Sequence, residues 1–166
     1  MPQQNYLYLL ILVGNSIKPY DCVKGHIQMD ALDEIRRFLV VLDDFWKPLF
    51  ILLFFTGVRI GEAVGLKWWK RVDLVNGVVQ IRKSIGYVNW TYVYKKPKTE
   101  ASIRDVKLPV FVVEALREQR KRTWKGNGEN FVFLNKEGRN IHRHILNRTV
   151  ITPALEKIKT ATHISD

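Results

Sequence analysis

Apolar residues recur along the chain in two rhythms, and the change from one to the other divides it. From Ala31 to Leu42 the positions Leu32, Ile35, Phe38, Leu39 and Leu42 fall three and four apart, the spacing of one helical face. Asp30, Asp33 and Glu34 place acidic residues at the start of this stretch, in the manner of a capping box. Asp43-Asp44 closes it, and a second helix is expected from near Phe45 with Pro48 in its first turn. That helix contains the apolar run Pro48-Leu49-Phe50-Ile51-Leu52-Leu53-Phe54-Phe55, the pattern of a buried element. Gly57 can take positive φ and end it. Thr56 or Gly57 is then expected to cap a third helix carrying Ile60, Ala63, Val64 and Leu66, with Arg59 in its first turn.

After Trp68-Trp69 the period shortens to two. Asn76-Gly77 is a turn signal. Val78–Lys83, Tyr87–Tyr94 and Asp105–Leu108 are rich in β-branched and aromatic residues and predict three strands of a small antiparallel sheet. Helical spacing returns from Phe111 to Trp124, a short extended segment follows at Phe131–Leu134, and a turn at Gly138–Asn140. A basic helical region from His142 to Ile158 is expected to break or restart near Pro153. At the start of the chain, Asn5–Val13 predicts a short helix, and Ile17–Gly25, with Pro19 and Gly25, a linker. The expected fold is α+β and mainly helical, with a three-stranded antiparallel sheet.

A length of 166 residues bounds this to one domain, with room for a fragment of a second. A net charge of +11 points to a polyanion partner, most often nucleic acid and less often an anionic membrane surface. The membrane alternative is disfavoured because the cations lie in turns and strands instead of along one amphipathic helix. Tyr6–Val13 is too short to span a bilayer, and the charges of Asp43, Asp44 and Lys47 interrupt the longer apolar region. The single Cys22 excludes an intramolecular disulfide and a cysteine metal cluster, and fits a reducing cytoplasm.

Two stretches carry candidate chemistry. Arg59 is a cation near a helix N-terminus, where the dipole disfavours it, beside an apolar core. A plain helical ion pair with Glu62 would also account for it. The second stretch, Lys95-Lys96-Pro97-Lys98-Thr99-Glu100-Ala101-Ser102-Ile103-Arg104, gathers cations around a turn between two predicted strands. Such a basic hairpin can contact DNA phosphates, and it can equally be a solvated tip.

Thr56-Gly57-Val58-Arg59-Ile60-Gly61-Glu62, then Leu66-Lys67-Trp68, then Lys98-Thr99 with Ser102, Arg104 and Val106, resembles the catalytic domain of tyrosine recombinases of the phage integrase type. The resemblance runs from about Ala31 to Ile158. It implies residues 1–16 as the last helix of a core-binding domain, 17–29 as the linker, and 30–166 as a partial catalytic domain. Arg59 matches the first catalytic arginine, which binds the scissile phosphate, and Lys98 matches the lysine that protonates the leaving 5′ oxygen. Glu62 matches the acidic residue that orients the site, while Thr99, Ser102 and Arg104 match positions that shape the hairpin and touch phosphates. Lys95, Lys96 and Arg143 add DNA contacts. No metal or cofactor is implied, because bond energy stays in a phosphotyrosine link. The implied partners are duplex DNA and other integrase protomers, in a bacterial cytoplasm.

The sequence departs from the family pattern after Glu156. The pattern's His-x-x-Arg box and late tyrosine nucleophile have no match here: the tyrosines are Tyr6, Tyr8, Tyr20, Tyr87, Tyr92 and Tyr94. His142 and His144 are expected on a basic face with Arg139, Arg143 and Arg148. The expectation is therefore a truncated, inactive integrase, or a non-catalytic DNA-binding remnant that modulates an intact one.

Overall fold

The computed structural model describes residues 29–69, 71–88, 91–95, 103–126 and 130–163. The expected helix at Asn5–Val13 and the linker after it lie outside the described residues. The chain divides into two compact units, residues 44–144 and a unit made of 1–43 with 145–166.

The larger unit starts from its most apolar segment. Helix α2 (Lys47–Thr56) has Pro48 at its first positions, and Pro48, Leu49, Phe50, Leu52 and Leu53 are all buried. A fixed φ and a missing N–H cost nothing at a helix start. Burying each large side chain contributes roughly 1.5–3 kcal/mol, so this helix anchors the unit. Gly57, at φ 64°, ends it, and its N–H donates to the carbonyl of Leu53. The short helix α3 (Ile60–Ala63) follows. Helix α4 (Val110–Thr123) packs against α2 through Val112, Val113 and Leu116, and the rings of Phe55 and Phe111 meet edge to face at 4.7 Å.

The sheet is three-stranded and antiparallel, in the order β1 (Val72–Asp73), β2 (Val78–Ile81), β5 (Arg104–Lys107). Gly77 turns β1 into β2 at φ 63°, and its carbonyl accepts from the N–H of Leu108. The Asp73 carboxylate accepts from the N–H groups of Val75 and Asn76 and from the Asn76 side chain. The hydrogen bonds of Asn76 hold its pKa below the usual carboxylate value.

The middle strand expected over Tyr87–Tyr94 is instead a ribbon of two strands, β3 (Ser84–Val88) and β4 (Thr91–Lys95), forming its own sheet. The register pairs Ser84 with Lys95 and Val88 with Thr91. The run has no Gly or Pro and reads as one strand, yet it holds the turn former Asn89, and Val88 pairs with Thr91 across the ribbon. Strands β4 and β5 belong to different sheets, and the basic stretch expected between them, residues 96–102, lies outside the described residues.

Glycines let the ribbon lie on α3. A Cβ on Gly61 would stand 3.0 Å from the carbonyl oxygen of Ile85. One on Gly65 would stand 3.2 Å from the Ile85 side chain and 3.3 Å from its nitrogen.

Phe131–Leu134 is extended as expected. Phe131 bridges Lys67, and the N–H of Val132 donates to the carbonyl of Leu66. Buried Trp68 donates from Nε1 to the Thr123 hydroxyl at 3.0 Å, and Gln119 donates to the carbonyl of Val132. The Leu66-Lys67-Trp68 stretch is therefore a structural seam.

In the smaller unit, helix α1 (Met29–Val41) buries Ile35 and Phe38, with Leu42 just beyond it, and packs on α6 (Thr152–His163), which buries Ala154, Leu155 and Ile158. The helix restarts near Pro153, as expected. Helix α5 (Arg143–Leu146) runs into a π-helical turn, Asn147–Ile151, and then α6. Pro153 has no N–H to give the preceding turn, and the wider turn lets the N–H of Thr152 reach the carbonyl of Asn147. No helix of the described residues is long and apolar enough to cross a membrane.

Gly65→Val tests the glycine seat. Side-chain atoms with no room beside Ile85 should cost about 2 kcal/mol, seen as a lower urea midpoint at an unchanged m-value. An unaltered midpoint would show that the ribbon does not rest on α3 there.

Candidate phosphate-binding site

The site is built around one carboxylate. Glu62 lies in α3 with its side chain only 6% exposed. It accepts a forked pair of hydrogen bonds from Arg104, Nη1 to Oε1 at 3.1 Å and Nη2 to Oε2 at 2.9 Å. The same carboxylate accepts from the backbone N–H of Arg59 at 3.0 Å. The Arg59 side chain approaches it less closely, Nη1 to Oε1 at 3.5 Å.

Local sequence explains this arrangement. Thr56 does not cap α3: its hydroxyl donates back to the carbonyl of Leu52 inside α2, and its oxygen accepts from the N–H of Val58, short of α3. Glu62, at the third position of α3, reaches back to the N–H of Arg59, so Arg59 is the N-cap residue and not part of the first turn. Arg59 has extended backbone, φ −69° and ψ 147°. Its neighbours Val58 and Ile60 are buried, which leaves the Arg59 side chain to point outward at 44% exposure. Its placement follows from the burial of the residues on either side.

Magnitudes decide which arginine Glu62 serves. A forked guanidinium–carboxylate pair at about 3 Å is the strong geometry, whereas a single contact at 3.5 Å is marginal. Glu62 is thus spent on Arg104 and on the Arg59 backbone. Among the described residues, two guanidinium groups share this carboxylate, and Arg59 is the less closely paired of the two. That is the electrostatic condition for receiving an anion with forked donors.

The structure brings Arg59, Glu62 and Arg104 together. Arg104, expected from sequence as a shaper of the hairpin and a phosphate contact, is here the partner of Glu62 from 42 residues away. Lys96, Lys98, Thr99 and Ser102 lie outside the described residues, and of Lys95 the backbone position at the end of β4 is described. Arg143 is exposed at the start of α5. His142 is half-buried with its ring 5.0 Å from that of Tyr92, so it does not share the exposure of Arg139 and Arg143. The Tyr92 hydroxyl donates to the carbonyl of Asn140 at 2.9 Å. Among the described residues, no group of three or more His, Cys, Asp or Glu is placed to hold a metal ion.

One residue near the site escaped the sequence reading. Arg82, just after β2, donates to the carbonyls of Ile81 and Arg104 and to the carboxylate of Asp105. The only signal was a cation and an acid near opposing ends of two predicted strands.

A largely helical chain with this small antiparallel sheet has the fold of a tyrosine recombinase catalytic domain. The Tn1549 transposon integrase, solved in complex with circular intermediate DNA, matches with a TM-score of 0.67 at 21% identity, over 93% of this chain and 55% of that one. The XerA recombinase matches with a TM-score of 0.59 at 18% identity, over 84% and 50%. Residues 31–165 match the phage integrase family, and the chain belongs to that family. Its curated relatives include the prophage integrase IntR of Escherichia coli, 30% identical over 133 residues, 74% of this chain and 30% of that protein. A XerC-like tyrosine recombinase of Caldanaerobacter subterraneus is 30% identical over 114 residues, 63% of this chain and 29% of that protein. The chain spans less than a third of the length of either relative.

Glu62→Gln keeps the shape of the anchor and removes its charge. It should destabilise the protein by about 2 kcal/mol, since the buried side chain of Glu62 loses its charge-assisted bonds to half-buried Arg104. Glu118→Gln, which breaks the exposed pair with Lys121, should cost less than about 0.5 kcal/mol. Urea denaturation of both variants checks this, and equal costs would show that Glu62 is not an anchor.

Proposed function

We propose that this chain supplies the phosphate-binding part of a site-specific DNA recombinase of the phosphotyrosine type. The observation that carries the reading is the unequal sharing of Glu62, which leaves the Arg59 guanidinium as the exposed, least neutralised cation of the cluster. In this reading Arg59 holds the non-bridging oxygens of the scissile phosphate and stabilises the charge that develops on them as a fifth oxygen approaches phosphorus. A tyrosyl oxygen would form the new bond to phosphorus while the bond to the 5′ oxygen breaks. Lys98 would give the leaving oxygen its proton. The phosphotyrosine link keeps the bond energy, so no nucleotide is consumed. Glu62 would position Arg59, Arg104 would hold Glu62, and Lys95, Lys96, Thr99, Ser102 and Arg143 would contact the duplex.

The domain reading is part of the same proposal: residues 30–166 as part of a catalytic domain, 17–29 as a linker, and 1–16 as the end of a preceding helix. Duplex DNA and other protomers would be the partners, in the cytoplasm of a bacterium.

A second reading, a DNA-binding protein that modulates an intact integrase without cutting, is favoured by one observation. Every tyrosine of these 166 residues precedes the Lys98 segment, and the hydroxyl of Tyr92 is engaged with Asn140.

Both readings require electrostatic duplex binding. The affinity should fall steeply with salt, and Arg59→Ala should weaken it roughly tenfold while reducing the salt slope by about one. Lys98→Ala should act in the same direction. Fluorescence anisotropy with a short duplex over a salt series measures this, and a salt-independent affinity, or one indifferent to Arg59, contradicts both. A suicide substrate tests the non-cutting reading. The 166-residue chain is expected to form no covalent DNA adduct, and a trapped adduct would remove the non-cutting reading.

A further inference from the structure

Arg82 lies one residue beyond the last rung of the main sheet. The β2–β5 ladder ends with the pairing of Ile81 and Arg104. A ladder end frays unless something holds it. Arg82 takes the place of the next rung: one terminal nitrogen donates to the carbonyl of Arg104 at 2.9 Å and to that of Ile81 at 3.1 Å, and the other donates to Asp105.

The consequence for the site follows from strand geometry. Successive side chains of β5 point to opposite faces. Asp105 is exposed and reaches Arg82, while the half-buried Arg104 reaches Glu62. Holding Asp105 on one face fixes Arg104 on the other. A slip of one residue would turn Arg104 away from Glu62. Glu62 would then be left to Arg59, which would draw that guanidinium inward and neutralise it.

We propose that Arg82 is a positioning residue for the phosphate-binding site, holding the first residues of β5 so that Arg104 occupies Glu62 and Arg59 stays available to an anion. This inference rests on the reading of Arg59 as the phosphate-binding group. An exposed ion pair such as Arg82–Asp105 contributes little to global stability by itself. The effect of Arg82 is therefore directional, on the site, more than energetic, on the fold.

The test is a double-mutant cycle on duplex affinity at one salt concentration, with thermal melts of every variant. Arg82→Ala should lower affinity roughly fivefold when Arg59 is present and less than about twofold in the Arg59→Ala background, with little change in the melt. Equal losses in both backgrounds would mean that Arg82 touches DNA itself, and no loss beside Arg59 would mean that it does not position the site. Either result overturns the proposal. Should Arg82→Ala fail to fold, Arg82→Lys serves: it keeps the charge but lacks the fork, and full affinity there would overturn the proposal too. If Arg59→Ala alone leaves affinity unchanged, the phosphate-binding reading is what fails. Arg82 is then read on the side-chain 15Nε resonance of Arg104, which should shift in Arg82→Ala; an unmoved resonance overturns the positioning role independently.

Discussion

A single buried carboxylate accounts for most of what is distinctive in this unit. Glu62 caps α3 through the backbone N–H of Arg59 and binds the fork of Arg104 on β5. A carboxylate that is 6% exposed is tolerable only when its lone pairs are satisfied, and here several donors share that task. The cost of leaving it unpaired would be several kcal/mol, so α3 and β5 are held to each other by the avoidance of that cost. Arg59 is the beneficiary: its backbone is fixed by Glu62, and its side chain is left mostly to the surroundings.

Around that carboxylate, the chain controls direction by burial and by absence of side chains. Val58 and Ile60 turn inward, and Arg59 between them turns outward. Gly57 provides the left-handed turn that ends an apolar helix just before the site. Gly61 and Gly65 remove the atoms that would keep the β3–β4 ribbon off α3. Arg82 secures the other approach, at the first residues of β5. The proposed phosphate-binding group thus stands on a helix, a sheet edge and a ribbon at once, which is the kind of support that keeps a charged side chain in one orientation.

Much of this was legible in the sequence because the deciding signals are local. The three-and-four spacing of Leu32, Ile35, Phe38 and Leu42 gave α1, and the apolar run closed by Gly57 gave α2 and its end. Asn76-Gly77 gave the turn into β2. Misses arose where a distant or competing partner decided the outcome. Thr56 looked like a cap, but its hydroxyl found the carbonyl of Leu52, and Glu62 capped α3 from inside. Tyr87–Tyr94 is dominated by strand formers, and the single turn former Asn89, without a following Gly, is too weak a signal to divide it. Pro153 marked a restart, but nothing local showed that a π turn would join the two helices. The pairing of Arg104 with Glu62 spans 42 residues and could not be read from spacing, although both residues had been singled out on family resemblance.

The central claim is that Glu62 engages Arg104 so that Arg59 is left to bind a phosphate. A structure of the chain bound to a short DNA duplex tests it most directly. The account predicts the Arg59 guanidinium within hydrogen-bond distance of a backbone phosphate, about 2.7–3.2 Å, with the Arg104–Glu62 fork intact. A phosphate held by Arg104, with Glu62 turned to Arg59, would contradict it.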